Sequence, residues 1–237
     1  MEEGLFTTDR GIELTAVTAA EMRDVDRVAV EDVGLRLLSM MENAGRNLST
    51  YLRREGAETG AVYAGNGGNG GGGLVTARHL ANAETDVTVV LDRDPSDLDG
   101  AAAIQHGVVE AMDVTVTRDP GEVDAPDVAV DALVGYGLSG PLRGRAAELV
   151  HAVQSAPSVV SLDVPSGLDA TTGETSGPAV VPDAVVTLAL PKTGLRAIDA
   201  TVLLADIAIP AEVYRSLTIP YRRPFEDGYC VELDTVE

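Results

Sequence analysis

Seven short runs rich in β-branched residues, at 61–64, 87–91, 114–116, 128–133, 159–164, 185–190 and 202–207, punctuate this chain. Stretches of helical composition at 74–82, 98–110 and 143–154 separate several of them. Strands that alternate with helices argue for βαβ units and a mostly parallel sheet. The segments Val-Val-Ser-Leu-Asp-Val at 159–164 and Ala-Val-Val-Thr-Leu-Ala-Leu at 184–190 are nearly continuously apolar, as expected of strands covered on both faces. Upstream, Met22, Val25, Val28 and Ala29 recur at helical spacing within 18–32, and Thr18 with Glu21 predicts a capping box at that helix's start. A second helix is predicted over 36–53. The expected architecture is α/β: one three-layer αβα domain over 18–237, preceded by an acidic leader over 1–17 whose first twelve residues read as loose.

Composition narrows the class of protein. The 237 residues suffice for one large domain with a sizeable core. No apolar run approaches the roughly 18–20 residues of a membrane span, and the acidic N-terminus lacks the basic start and apolar core of a signal peptide. Cys230 is the only cysteine, so no internal disulfide can form, which fits a reducing cytoplasm. Net charge is −21, and Lys192 is the only lysine among 17 basic residues. An acidic surface nearly free of lysine points to a high-salt cytoplasm, with an ordinary acidic protein as the alternative. Such charge disfavours nucleic acid and anionic membranes as partners, less so where molar salt screens it within about 3 Å.

Between the run at 61–64 and the helix at 74–82, seven of the nine residues from 65 to 73 are glycine. Glycine raises the entropy cost of folding, so such density needs a local reason. One reason is close approach of backbone N–H groups to phosphate at the positive end of the following helix. Gly65, Gly67 and Gly70 satisfy G-x-G-x-x-G, and Asp92, after the next strand, stands where a ribose-binding acid would be placed. In a run this rich the pattern arises easily by chance, and a flexible connector is the alternative. No Lys-Ser or Lys-Thr follows, which excludes a Walker A loop.

Four further segments accompany the glycine run: Met41-Glu42-Asn43-Ala44-Gly45, Asp131 through Ser139, Asp163-Val164-Pro165-Ser166-Gly167-Leu168-Asp169, and Pro191-Lys192-Thr193-Gly194-Leu195. In this order, from about Thr18 to about Tyr214, the chain resembles the NAD(P)H-hydrate epimerase family, the YjeF N-terminal domain. The resemblance implies a Rossmann-like fold. It also implies an isomerase that repairs hydrated NADH or NADPH by interconverting the R and S epimers, a bound potassium ion, frequent dimerisation, and functional coupling to an ATP- or ADP-dependent dehydratase. Carried onto this chain, Gly68, Asn69, Gly70, Gly71 and Gly72, with Gly135, Tyr136, Gly137, Leu138, Ser139, Gly140 and Pro141, would bind the hydrated nucleotide. Asn69, Asp131 and Ser166 would hold potassium, and Asp163 would meet the reacting ring. Asn43 would reach the site from the second helix. The chain departs from the usual pattern where Gly68 replaces an asparagine, Gly72 an aspartate and Asn66 a proline; Tyr136 stands where threonine or phenylalanine is more usual.

Read as chemistry, Asp163 and Ser166 follow an apolar strand, at the carboxyl edge where open α/β sheets bind ligands. Asn69, Asp131 and Ser166 offer hard oxygens suited to a group-one cation, whereas His79, His106 and His151 are scattered and form no zinc cluster. Epimerisation requires that a hydroxyl leave and return on the other face. Asp163 is the candidate acid, base and stabiliser of the cationic ring, with a turn-capping aspartate as the alternative. Lys192 is the second candidate, because a compact ammonium held at one spot cannot be exchanged for arginine; it would touch a phosphate or orient Asp163. Two competing functions remain at this level: an NAD-dependent oxidoreductase using Asp92, and a non-catalytic nucleotide-binding or protein-interaction module.

Overall fold

The computed structural model describes residues 1–225 and 228–236. In chain order it contains β1 (Glu2–Thr8), β2 (Glu13–Ala16), α1 (Ala19–Arg27), a π-helical turn (Val28–Asp32), α2 (Leu37–Arg54), β3 (Thr59–Ala64), α3 (Gly68–Ala81), β4 (Asp86–Leu91), α4 (Gly100–Glu110), β5 (Thr115–Thr117), β6 (Val128–Ala132), α5 (Gly144–Val153), β7 (Val159–Leu162), β8 (Ala184–Leu188), β9 (Thr201–Ala205), α6 (Ala211–Ser216) and β10 (Cys230–Thr235). All ten strands join one sheet in the order β2-β1-β10-β9-β8-β7-β6-β3-β4-β5. The seven from β9 to β5 are parallel, and they are the seven runs expected from the sequence.

Side chains alternate across these strands as the pleat requires. Val62 and Ala64 pack with Leu48 and Leu52 of α2, Leu74 and Leu80 of α3, and Ala102 and Val109 of α4. Ala61 and Tyr63 face the other way, against Leu149 and Val153 of α5. Three layers result, with β6 and β7 buried throughout. The capping box of α1 forms: Glu21 N–H donates to Thr18 Oγ1 at 3.2 Å and Thr18 N–H to Glu21 Oε2 at 2.9 Å.

Two expectations are overturned. Residues 1–17 are not a loose leader: β1 pairs antiparallel with both β2 and β10, burying Phe6 and Leu14. These strands mix few apolar residues with acidic and polar ones, so the apolar signal of the edge is thin. Nor is the glycine run mainly a loop. Gly68 to Gly73 are the first turns of α3, and Gly70 to Gly73 are buried. A methyl at Gly70 would lie 1.7 Å from the Gly65 carbonyl oxygen, and one at Gly73 would lie 2.5 Å from Ala132 Cβ. The glycines let α3 lie flat on the sheet and against α2.

Gly45 of α2 completes this crossing, since an added Cβ would fall 2.5 Å from Val75 Cγ1 and 2.8 Å from the Thr76 nitrogen. Gly45→Ala is therefore expected to cost about 1–3 kcal/mol through overpacking, despite alanine's better helix propensity. A thermal melt checks this; an unchanged or higher Tm would contradict it.

Candidate active site

The carboxyl ends of β3, β6, β7 and β8 open onto a cleft of about 630 Å³, within the usual size of a small-molecule site. Its floor includes Gly68, Asn69 and Gly72 at the start of α3, Val134 to Gly137 after β6, and Asp163 after β7. Its roof comes from α1, the π-helical turn and α2, which contribute Asp26, Val30, Leu37, Met40 and Met41. Arg23 and Arg27 stand at the rim, both exposed.

Asp163 sits at φ 69, and the Val164 N–H donates across it to the Leu162 carbonyl at 2.9 Å, a γ-turn. Ala189 repeats the device after β8, at φ 65 with Leu190 N–H on the Leu188 carbonyl at 2.7 Å. Left-handed backbone at a non-glycine residue costs on the order of 1–3 kcal/mol and collects at functional sites. Here it turns the strand ends so that the carboxylate of β7 meets the backbone of β8.

Asp163 is 4% exposed, and donors surround it. Lys192 Nζ, fully buried, donates to Oδ1, as do the Leu188 N–H at 3.2 Å and Thr187 Oγ1 at 3.4 Å; the Tyr136 N–H approaches Oδ2 at 3.4 Å. Lys192 also donates to the Leu188 carbonyl at 2.8 Å and lies 5.7 Å from the centre of the Tyr136 ring. The Val17 backbone bonds to the residues either side of Lys192, with its N–H on the Pro191 carbonyl and its carbonyl on the Thr193 N–H. Of the two roles considered for Lys192, the geometry places it against Asp163.

Beneath the cleft, Asp131 is completely buried. Its carboxylate accepts from Ser161 Oγ at 2.8 Å, Ser166 N–H at 2.8 Å, Ser166 Oγ at 2.5 Å and Leu133 N–H at 3.3 Å. All are neutral donors. Burial outweighs them and pushes the Asp131 carboxyl above its ordinary range. Asn69 bridges the strands above: its amide nitrogen donates to the Leu162 carbonyl at 3.0 Å and its oxygen accepts from the Gly135 N–H at 3.3 Å. Gly135 lies between Asn69 and Asp163, where a Cβ would come within 3.3 Å of both. The Asn69, Asp131 and Ser166 oxygens are hard, the donor type that suits a group-one cation.

Other residues expected in the site are not among those lining this cleft. Gly70 and Gly71 pack against Gly65 and Met41. Asn43 donates to the Ile207 carbonyl at 3.4 Å and does not line the cleft, because α2 presents Met40, Met41 and Ala44 there instead. After Gly137 the chain turns away: Leu138 joins the core beside α5, Ser139 and Gly140 are exposed, and Pro141 lies against Gly177. Asp92 pairs with Arg93 at 2.8 Å and is not among the residues lining the cleft. At Gly72 a Cβ would meet Leu162 Cδ2 at 2.7 Å, so Leu162 fills the space a side chain there would take.

Asp26 was not expected. Its carboxylate accepts a hydrogen bond from the Tyr136 hydroxyl. Burial pushes the Asp26 carboxyl above its ordinary range, against that hydrogen bond and the attraction of Lys192. Burial, and next the nearby Asp26 charge, push the Tyr136 phenol up strongly, so it remains a donor. The available signal was position: Asp26 falls on the Met22, Val25, Ala29 stripe of α1, where a carboxylate is out of place.

Residues 37–194 match the family model described as YjeF-related protein N-terminus. The chain is 42% identical to an NAD(P)H-hydrate epimerase of Dehalogenimonas lykanthroporepellens, covering 98% of each. It is 38% identical to a bifunctional NAD(P)H-hydrate repair enzyme of Hyperthermus butylicus, covering 84% of this chain and 40% of that one. In fold it matches the crystal structure of yeast ynu0 with a TM-score of 0.79 at 24% identity, covering 94% of this chain and all of that one.

Proposed function

The chain belongs to the family of YjeF-related protein N-termini, and on that premise we propose that it interconverts the R and S epimers of hydrated NADH and NADPH. The observation that carries this reading is the 42% identity to a named epimerase over 98% of both chains. The site supports it chemically. The nucleotide's phosphates suit the start of α3, where Gly68 and Asn69 bring first-turn backbone N–H groups to the cleft. The hydrated ring then lies toward Asp163.

Nitrogen's lone pair can expel the neighbouring hydroxyl as water once that oxygen is protonated, leaving a cationic C=N ring. Water returning to the other face restores the alcohol and releases a proton. Asp163, held by Lys192 and fixed by its γ-turn, stabilises the cationic ring and exchanges protons with the water. Pre-organisation matters because the carboxylate need not reorient as charge develops. We infer that the S form then passes to a separate dehydratase, and that the charge of −21 with a single lysine reflects a high-salt cytoplasm. Among the described residues no helix is long and apolar enough to cross a membrane.

The test is chiral chromatography of an epimer mixture while the S form is continuously removed. Accelerated depletion of the R form is the expected result; depletion at the uncatalysed rate would overturn the reading.

Potassium is part of the same proposal. Asn69, Asp131 and Ser166 would hold the ion, which would neutralise a buried carboxylate that has no basic partner among the described residues. Because burial raises the Asp131 carboxyl, its ionised form disfavours the fold as pH rises, and a bound cation offsets that loss. Tm should therefore be higher in potassium than in choline chloride at equal ionic strength, and the gain should grow with pH. An ion at 100 times its Kd would add about 2.7 kcal/mol. Asp131→Asn should abolish the ion-specific gain; equal gains in both salts would remove the ion from the proposal.

A further inference from the structure

We propose that Asp26 is a second acid–base residue of this site, serving the ring face opposite Asp163 and held in place by Tyr136. The inference rests on the epimerase reading above and adds to it a residue from a different element, α1.

Tyr136 ties the two carboxylates together. Its backbone N–H approaches Asp163 Oδ2 and its hydroxyl donates to Asp26 Oδ2. The carboxylates are thus held at opposite ends of one tyrosine, and both line the same cleft. Paired carboxyl groups can flank a reacting ring carbon, one protonating the leaving oxygen while the other activates water on the opposite face. Epimerisation is the case that needs both faces.

The two environments suit different halves of the reaction. Asp163 faces donors: Lys192, Thr187 and two backbone N–H groups. That arrangement fixes the position of the Asp163 carboxylate on its side of the ring. Asp26 has no salt-bridge partner among the described residues, and burial raises its carboxyl. The charged and titratable groups that bear on it are Tyr136, Lys192 and Asp163 from the sheet side, Tyr214 of α6, and Arg23, Arg27 and Glu31 around the same cleft. Burial thus favours the protonated form of Asp26 relative to an exposed aspartate, the direction a proton donor needs.

The step balances without a co-reactant. Protonated Asp26 gives its proton to the hydroxyl oxygen, the C–O bond breaks, nitrogen's lone pair forms C=N, and water leaves. Water then bonds to the same carbon from the other face, the C=N pair returns to nitrogen, and the water's proton goes to Asp163. The reverse reaction exchanges the two roles, and solvent resets the protons.

The experiment measures epimer exchange against pH for wild type, Asp26→Asn and Tyr136→Phe, with thermal melts of each. Wild type should show a bell-shaped profile. Asp26→Asn should lower the rate by about 10²-fold or more and lose the alkaline limb. Tyr136→Phe should keep measurable turnover and move the alkaline limb to higher pH, because a hydrogen bond favouring ionised Asp26 is gone. Asp26→Asn with the wild-type rate and profile overturns the second carboxylate alone. If Asp26→Asn fails to fold, an unmoved limb in Tyr136→Phe overturns it instead. Wild type without catalysed exchange overturns the epimerase reading and this inference together.

Discussion

Asp163→Asn is expected to lower the rate of catalysed epimer exchange by about 10²–10⁴-fold, the range lost when a positioned acid–base group is removed. The substitution is chosen to leave the geometry in place. Asp163 sits at φ 69, a conformation that asparagine, like aspartate, tolerates better than most non-glycine residues. The γ-turn should therefore persist. The amide oxygen can still accept from the Leu188 N–H and Thr187, but it cannot neutralise the buried Lys192 ammonium. Removing one partner of a buried pair costs about 3–5 kcal/mol, so the variant should fold with a lowered Tm. Loss of exchange is thus to be measured well below the variant's own melting point. Wild-type exchange in a folded Asp163→Asn protein would remove Asp163 from the chemistry.

The parallel half of the sheet was legible because its strands are covered on both faces, which leaves nearly unbroken apolar runs such as 159–164. The antiparallel edge was not. In β10 only Leu233 is fully buried, and in β1 the acidic start masks Phe6. An edge with so few apolar residues cannot be distinguished from a tail by sequence pattern. The glycine run illustrates a different difficulty. Its density announced a constraint, but glycine for phosphate approach and glycine for helix packing look alike in sequence. Gly70 and Gly73 are explained by backbone and side-chain atoms behind them, whereas Gly68 and Gly72 line the cleft.

The same division runs through the site. Lys192 stood out in a chain with no other lysine, and Asp163 by its place after an apolar strand. Both signals are local. Asp26 gave a weaker one, because α1 also carries Glu21 and Asp24, and only the helical phase separates the inward carboxylate from the outward ones. Asn43 does not itself line the cleft, because Met40, Met41 and Ala44 occupy the face of α2 turned to it. Which face a helix shows to a ligand is decided by packing between distant segments.

Lys192→Met is expected to lower stability by about 3–5 kcal/mol at neutral pH, which for a domain of this size corresponds to about 6–20 °C in Tm. Methionine fills most of the volume of the lysine stem, so the loss is electrostatic: Asp163, 4% exposed, is left as a buried charge without its counter-ion. The pH dependence separates this from a packing defect. In the variant a proton on Asp163 relieves the buried charge, so the folded state takes up protons that the unfolded chain does not yet bind. Stability relative to wild type then recovers as pH falls and deteriorates as it rises. A deficit that stays constant from mildly acid to alkaline pH would show that Lys192 acts by shape alone. Lys192→Arg keeps the charge and tests the shape. A planar guanidinium must enter a fully buried space whose acceptors, Asp163 Oδ1, the Leu188 carbonyl and Thr187 Oγ1, converge on one nitrogen. That variant should lose about 1–3 kcal/mol by overpacking, with no recovery in acid, and should displace Asp163 enough to slow exchange. If Lys192→Arg turns over substrate as wild type does, the ammonium has no special role, and the survival of the chain's one lysine needs another cause.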